Sequence, residues 1–404
     1  MEETKNKAFP KDFLWGAAIS SYQAEGGNRF SDWWAWEMSE KRMAQLQKNG
    51  KNPEEFRSGK ASEFRNLFEQ DLQIAKDLKH NAFRLSIEWA RIEPEPGKLN
   101  YKELEYYHKV LSSARSKGMK TFLTLHHFTL PEWFAEKKGF VYHKNIPDFT
   151  NFSKLVAEKL GHLVDFWITF NEPEVYAQLS YLLGRWPPAR ANWTDFISVR
   201  KNLVAAHRIA YAEIKQVLPQ AQIGFAKHAI YFETARWNLV GRIFKFVADT
   251  WWNKSFVIKN LDRLDFIGVN YYFHKKFTWR LVDPPVERYS DMRWPLSPEG
   301  FYGVLSEMKN YDKPIYVTEH GLADAADRDR SWYIRSSLEQ LLKAREKGVD
   351  VRGYLHWSLL DNFEWDNGFD PRFGLVEVDY RTYERKVRQS AKDFAKIIEQ
   401  GYLI

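Results

Sequence analysis

Short, nearly unbroken apolar segments recur along the chain, and longer stretches with helical periodicity separate them. The segments are Phe13–Ile19, Ala82–Trp89, Lys120–Phe128, Asp165–Phe170, Gln222–Ala229, Leu264–Tyr272, Pro314–Thr318 and Val351–Leu359. Runs that are apolar on both faces, rather than alternating, predict parallel strands covered on either side by other elements. Between them, Ser62–Lys79 puts Phe64, Leu67, Phe68, Ala75 and Leu78 on one helical face. Ala114–Lys117 followed by Gly118 reads as a helix end with a left-handed glycine cap, just ahead of the third strand. Strand followed by helix, repeated through eight units, predicts an α/β chain closed as a TIM barrel, a (β/α)8 fold occupying residues 1–404 as a single domain. The proline-rich stretch Leu281–Pro298 reads as a long loop inside that unit, not as a linker.

Composition narrows the function more than the fold. The 404 residues include 17 Trp and no Cys, and the formal net charge is +7. Without cysteine there are no disulfides, thiolate metal sites or Cys nucleophiles. Lysine and arginine are scattered, with no dense basic run, so a nucleic-acid partner is not expected. A weak attraction to anionic membrane surfaces, as peripheral association, stays open. The opening MEETKNKAFP has no apolar core of the kind a secretory signal needs, and no run of 18 apolar residues could span a bilayer. A cytoplasmic location is therefore expected. Leu239–Phe246 mixes apolar and basic residues; an ordinary barrel-covering helix is the favoured reading, ahead of a helix lying on a membrane. The rings of Trp33, Trp34, Trp36, Trp279 and Trp294 either stack a substrate or pack the rim.

Polar residues gather at the C-terminal ends of the predicted strands: Arg84, His126, His127, Asn171, Glu172, Asn270, Tyr272, Glu319 and Trp357. In barrels that end carries the active site. Two carboxyls there suit glycoside hydrolysis, where one acid protonates the departing oxygen and a second carboxylate attacks the anomeric carbon. A lone Glu at a strand end is more often a salt-bridge partner, and Arg84 taken alone reads equally as a buried counter-charge. Neither a metal nor an organic cofactor is expected, because adjacent histidines on a strand point to opposite faces and no HExxH spacing occurs.

Phe170-Asn171-Glu172-Pro173 and Val317-Thr318-Glu319-His320-Gly321 resemble the acid/base and nucleophile signatures of glycoside hydrolase family 1. Further segments resemble that family in the same order: Tyr22–Gly26, Phe83–Trp89, Thr124–Phe128, Gly268–Tyr272 and Trp357–Trp365. The resemblance implies a retaining β-glycosidase of carbohydrate substrates, with Glu172 as acid/base and Glu319 as nucleophile. It implies that Gln23, His127, Asn171, Glu364 and Trp365 hold sugar hydroxyls over a floor formed by Trp357, with His126 as packing. It also implies a cis peptide between Trp357 and Ser358.

Arg84, Asn270 and Tyr272 are the candidates to support the pair. Arg84 and Tyr272 should lower the pKa of Glu319, while burial and the neighbouring charge should keep Glu172 protonated. Retention also requires the two carboxyls about 5 Å apart. Glu364 argues for an unphosphorylated glycone, since family members acting on 6-phosphorylated sugars avoid a carboxylate there. His320 replaces a usual Asn, Thr129 a common Asp, and Glu88 a common Ser. A dedicated transglycosidase and a catalytically silent sugar-binding homologue are the alternatives, although a silent homologue would usually have lost one carboxylate. Monomer and homo-oligomer remain equally open.

Overall fold

Eight parallel strands close on themselves in the computed structural model, which describes residues 8–278 and 280–403. They are β1 Leu14–Ala18, β2 Ala82–Ser86, β3 Lys120–His126, β4 Phe166–Asn171, β5 Gln222–Thr234, β6 Ile267–Phe277, β7 Ile315–His320 and β8 Val351–Trp357. Each pairs with the next, and β8 returns to β1 with Gly16 opposite Leu355 and Ala18 opposite Trp357. Helices on the outside complete a (β/α)8 barrel. The continuous apolar runs follow from this geometry, since the outer strand face meets helices while the inner face fills the barrel.

The inside is packed in layers. Ala82, Phe122, Ile168, Ala226, Phe266, Tyr316 and Leu355 form one buried cluster, with the rings of Phe122 and Phe166 stacked 4.2 Å apart. That layer plugs the lower barrel. Two residues further along their strands, where side chains face inward again, stand Arg84, Thr124, Thr318 and Trp357. Three of the irregularities in pairing fall between Ile168 and Asn171, between Val269 and Asn270, and between Val317 and His320. Such bulges re-aim side chains. All three lie where polar groups must turn toward the mouth.

The predicted helix at Ser62–Lys79 is α1, Phe64–Asp77, which buries Phe64, Leu72 and Ala75 while Leu67 and Phe68 are half-buried. Tyr101–Ser116 forms α2, and Gly118 at φ 84 leads the chain into β3 as expected. Two strands outrun their predicted ends. β5 and β6 continue past Ala229 and Tyr272, pairing from Ile230 with Phe273 through Thr234 with Phe277. These extensions stand above the barrel, so their burial is mixed and no continuous apolar run marks them. Leu281–Val282 then folds back antiparallel on the end of β6, so the expected loop begins as a hairpin.

The reading of Leu239–Phe246 as an ordinary barrel helix is corrected. α3, Leu239–Ala248, turns Gly241, Lys245 and Ala248 inward and leaves Leu239, Val240, Ile243, Phe244, Phe246 and Val247 exposed. Trp279 and the first seven residues lie outside the described residues. Among the described residues no helix is long and apolar enough to cross a membrane.

Candidate active site

The inward layer above the apolar plug begins with Arg84, buried at the centre of the barrel. Its guanidinium donates to Thr124 Oγ1 at 3.2 Å, the Thr318 carbonyl at 3.1 Å, Glu319 Oε1 at 2.6 Å and Asn171 Oδ1 at 2.6 Å. Arg84 is thus both a buried counter-charge and a positioner, and the two readings coincide. Asn270, from β6, donates through Nδ2 to Glu172 Oε1 at 2.8 Å and to Asn171 Oδ1 at 3.1 Å. Its own carbonyl accepts from Thr318 Oγ1 at 2.7 Å. Because Asn270 Oδ1 is occupied, its amide is locked with the donor toward the carboxyl. Tyr272 donates to Glu319 Oε2 at 3.0 Å.

Above these supports lies a cavity of about 900 Å³, lined by Gln23, His127, Asn171, Glu172, Tyr272, Glu319, Trp357, Glu364 and Trp365, among others. Every predicted sugar-binding residue and both carboxylates therefore reach one space, while Arg84 and Asn270 lie beneath it. Glu172 closes β4 in the left-handed region, at φ 43, and Pro173 opens the following helix. A non-glycine residue there signals a constrained turn at a functional position. Gln23 donates to the Phe363 carbonyl at 2.8 Å, Asn362 Oδ1 at 3.1 Å and Glu364 Oε2 at 3.3 Å, and accepts from Ser20 at 2.7 Å. His127 Nε2 accepts from Asn171 Nδ2 at 3.1 Å, and its ring is stacked against Trp357 and Trp365. The Trp357–Ser358 peptide is cis.

The two carboxyls differ in what surrounds them. Burial first, then the Glu319 charge, raises the Glu172 pKa well above the carboxylate range; Asn270, Arg84 and Lys227 pull weakly the other way. Glu319 departs from expectation. Arg84, Tyr272 and Asn270 do lower its pKa, but burial outweighs them and the net direction is upward. With the Arg84 cation and the Tyr272 hydroxyl both donating to one group and a like charge facing the other, Glu319 is the first to ionise and Glu172 keeps the proton. The Glu364 carboxyl is pushed up to about 8, by burial and then by Glu319 and Asp366, against the Gln23 hydrogen bond.

The remaining predicted residues sort by direction. His126 points away from the mouth and packs on Phe140, Phe170 and Tyr176. Trp33 is buried behind the site, 4.6 Å from Trp365 and 5.4 Å from Trp186. Arg29 and Arg42 lie over Trp34 and Trp36, whereas Trp294 lines the cavity beside Tyr272 and Phe273. His320 faces the opposite side of β7 from Glu319. It accepts or donates at 2.8 Å to Tyr354 and stacks on Tyr271, Phe301 and Tyr333, a neutral core histidine whose pKa burial lowers to about 3.

Two departures from the family pattern prove to be one. Thr129 Oγ1 donates to Glu88 Oε2 at 2.9 Å, so the hydroxyl and the carboxyl sit at exchanged positions of a single pair. Sequence reasoning passed over Lys227, a fully buried cation whose Nζ lies 3.3 Å from Glu174 and donates to the His228 carbonyl. Its signal was a lysine inside the apolar run Ile223–Ala229. Among the described residues no three His, Asp or Glu side chains form a group that could hold a metal.

Comparison with known proteins agrees with this geometry over nearly the whole chain. The model of glycosyl hydrolase family 1 matches residues 5–236 and 255–402. The chain is 30% identical over 504 aligned positions to a β-galactosidase of Pyrococcus woesei, covering 96% of this chain and 97% of that protein. It is 30% identical to β-glucosidase A of Thermotoga maritima, covering 98% and 99%. A β-glycosidase structure from Pyrococcus horikoshii superposes with a TM-score of 0.89 at 36% identity, covering 98% of this chain and 96% of that one.

Proposed function

The chain belongs to glycosyl hydrolase family 1 and is a β-glycosidase, and from that premise we propose that Glu172 and Glu319 act by double displacement with retention. Glu172, protonated, gives its proton to the oxygen of the departing aglycone as the bond to the anomeric carbon breaks. Glu319, ionised, forms a bond to the same carbon, giving a glycosyl ester. Water then attacks that carbon, loses its proton to Glu172 and releases Glu319. Once Glu319 is esterified its charge no longer opposes ionisation of Glu172, so the acid of the first step becomes the base of the second.

The observation that carries this reading is the shared support of two buried carboxyls with opposite surroundings. Asn270 donates to Glu172, whereas Arg84 and Tyr272 donate to Glu319. Positioned donors in a cavity shielded from water act at full strength on developing charge. Gln23, His127, Asn171, Glu364 and Trp365 hold the glycone over Trp357, and Asn171 addresses the 2-hydroxyl. Glucose and galactose are the proposed glycones, on the strength of the relatives' activities. The carboxyl of Glu364 favours an unphosphorylated 6-position. A silent sugar-binding role is disfavoured because both acids are in place.

The test uses aryl β-glycosides with wild type, Glu319→Gly and Glu172→Ala. NMR of the first-formed wild-type product should show the β anomer. Glu319→Gly should be inactive alone and, with azide, should yield the α-glycosyl azide. Glu172→Ala should lose about 10²–10⁴-fold with poor leaving groups and less with good ones. An α anomer from wild type, or full activity in Glu319→Gly, would overturn the mechanism.

A further inference from the structure

We propose that the outward face of α3 docks on an anionic lipid bilayer and holds the cavity mouth against it, so that glycosides with an apolar chain as aglycone enter from the lipid surface. The choice of substrate rests on the glycosidase reading above; the docking itself does not.

α3 is built inside out. Gly241, Lys245 and Ala248 face the barrel, while Leu239, Ile243 and Phe246 are 67%, 65% and 67% exposed. Trp237, just before the helix, is 85% exposed. Adding Val240, Phe244 and Val247 gives one contiguous apolar surface on ten residues of helix. Soluble proteins rarely present such a patch unless something covers it. The segment is also foreign to the family pattern, because the family model passes from residue 236 to residue 255 and omits it.

Two observations choose a bilayer as the occupant. The first is continuity with the site. Phe244 of the patch stacks on Phe277, which packs against Phe232. Phe232 lines the catalytic cavity together with Ala248, Trp251 and Leu281, so apolar contacts link the patch to the cavity wall. The second is charge. Arg236 and Arg242 are exposed beside the patch and make no ion pair among the described residues. The acids nearby are already paired: Glu233 with Lys276, Asp249 and Glu307 with Lys245 and Lys254 between them, and Asp283 with Lys275. The whole chain adds a net charge of +7. A second copy on this face would set the same arginines against each other across a two-fold axis, whereas anionic headgroups complement them. An apolar helix face flanked by cations, with a Trp at its edge, is the composition of a helix lying in the headgroup plane.

The experiment measures co-sedimentation with vesicles of phosphatidylcholine alone or mixed with phosphatidylglycerol, for wild type, Ile243→Asp/Phe246→Asp and Arg236→Gln/Arg242→Gln. Wild type should bind the anionic vesicles. The aspartate variant should bind at least about tenfold more weakly, two buried apolar side chains having been lost. The glutamine variant should lose about fivefold per arginine on anionic vesicles only. All three should hydrolyse a soluble aryl β-glycoside at equal kcat/KM, while a long-chain alkyl glycoside embedded in vesicles should be cleaved faster by wild type. Failure of wild type to bind either vesicle would overturn the docking, as would an unaffected aspartate variant. Sedimentation velocity showing an oligomer that the aspartate variant dissolves, without vesicle binding, would assign the face to a second copy and likewise overturn it. Equal cleavage of the embedded glycoside by bound wild type and unbound variant would overturn the substrate choice. Vesicle binding without activity on any glycoside would sink the glycosidase reading and leave the docking intact.

Discussion

Replacing Glu319 by Gln should lower the pKa of Glu172 by about 2 units without restoring it to the ordinary carboxylate value. Glu172 is held protonated by two causes, burial first and the charge of Glu319 second. The substitution removes the second and keeps the first. At the roughly 5 Å separation that retention requires, and with an effective dielectric of about 20, one unit charge acts on another with about 3 kcal/mol. At about 1.4 kcal/mol per pKa unit that is the stated fall. Glu172 should therefore remain above an exposed glutamate, because its burial persists and Asn270 is its main compensating donor. The assay is carboxyl-¹³C NMR of glutamate-labelled Glu319→Gln, with Glu172 assigned by difference against Glu319→Gln/Glu172→Gln. In wild type the alkaline limb of kcat/KM reports the same group in its unsubstituted setting. A Glu172 that moves by less than about half a unit would refute the claim that the nucleophile's charge sustains the acid, and with it the exchange of roles between the two steps.

Three further outcomes follow from the same contacts. Asn270→Ala removes the donor to Glu172 and one partner of Asn171, so kcat/KM should fall by about one to two orders of magnitude and the alkaline limb should move to higher pH; an unmoved limb would contradict the hydrogen bond. Glu364, with its carboxyl near 8, should bind a neutral sugar inhibitor more tightly as pH rises through that value and the group becomes a pure acceptor. Glu364→Gln should flatten the dependence, and an unchanged profile would remove Glu364 from the glycone site. Asp32, Glu37 and Glu88 are raised by burial to about 8, 7 and 7. Groups whose folded pKa lies above the unfolded value contribute stability that is complete below about pH 4 and is lost as pH climbs through 7 to 8. The urea midpoint should accordingly be lower at pH 8.5 than at pH 5.5, with a shallower slope for Glu88→Gln; a midpoint that rises across that window would show these acids to be ionised in the fold.

The barrel and its mouth were legible because the same physics writes both. A strand covered on two sides must be apolar throughout, so an interrupting Arg84, Asn171 or Glu319 near its end is conspicuous. Alternation along each strand separates Glu319 from His320 and His127 from His126. Which of the two faces the mouth is set by the strand ends, where pairing is irregular between Val317 and His320 and the inward phase of Thr318 passes to Glu319. What the chain hid were relations between distant segments. Glu88 and Thr129 read as two separate oddities, and only their 2.9 Å contact makes them one exchanged pair. Lys227 was visible as a cation in an apolar run, but its partner Glu174 is 53 residues away. The extended ends of β5 and β6 lie outside the closed barrel, where the rule of continuous apolarity no longer applies. α3 exposes the deepest ambiguity. Periodicity reports that two faces of a helix differ, and the usual rule puts the apolar face inward. Here the inward face is fixed by closeness. A Cβ on Gly241 would collide with Thr234 and Asn238, and Asn238 both caps the helix at Gly241 and ties it to the Thr278 carbonyl at 2.8 Å. A helix held that tightly takes Gly241 and Ala248 on its inward face, with Lys245 reaching in to pair with Asp249 and Glu307, so its large apolar side chains point outward.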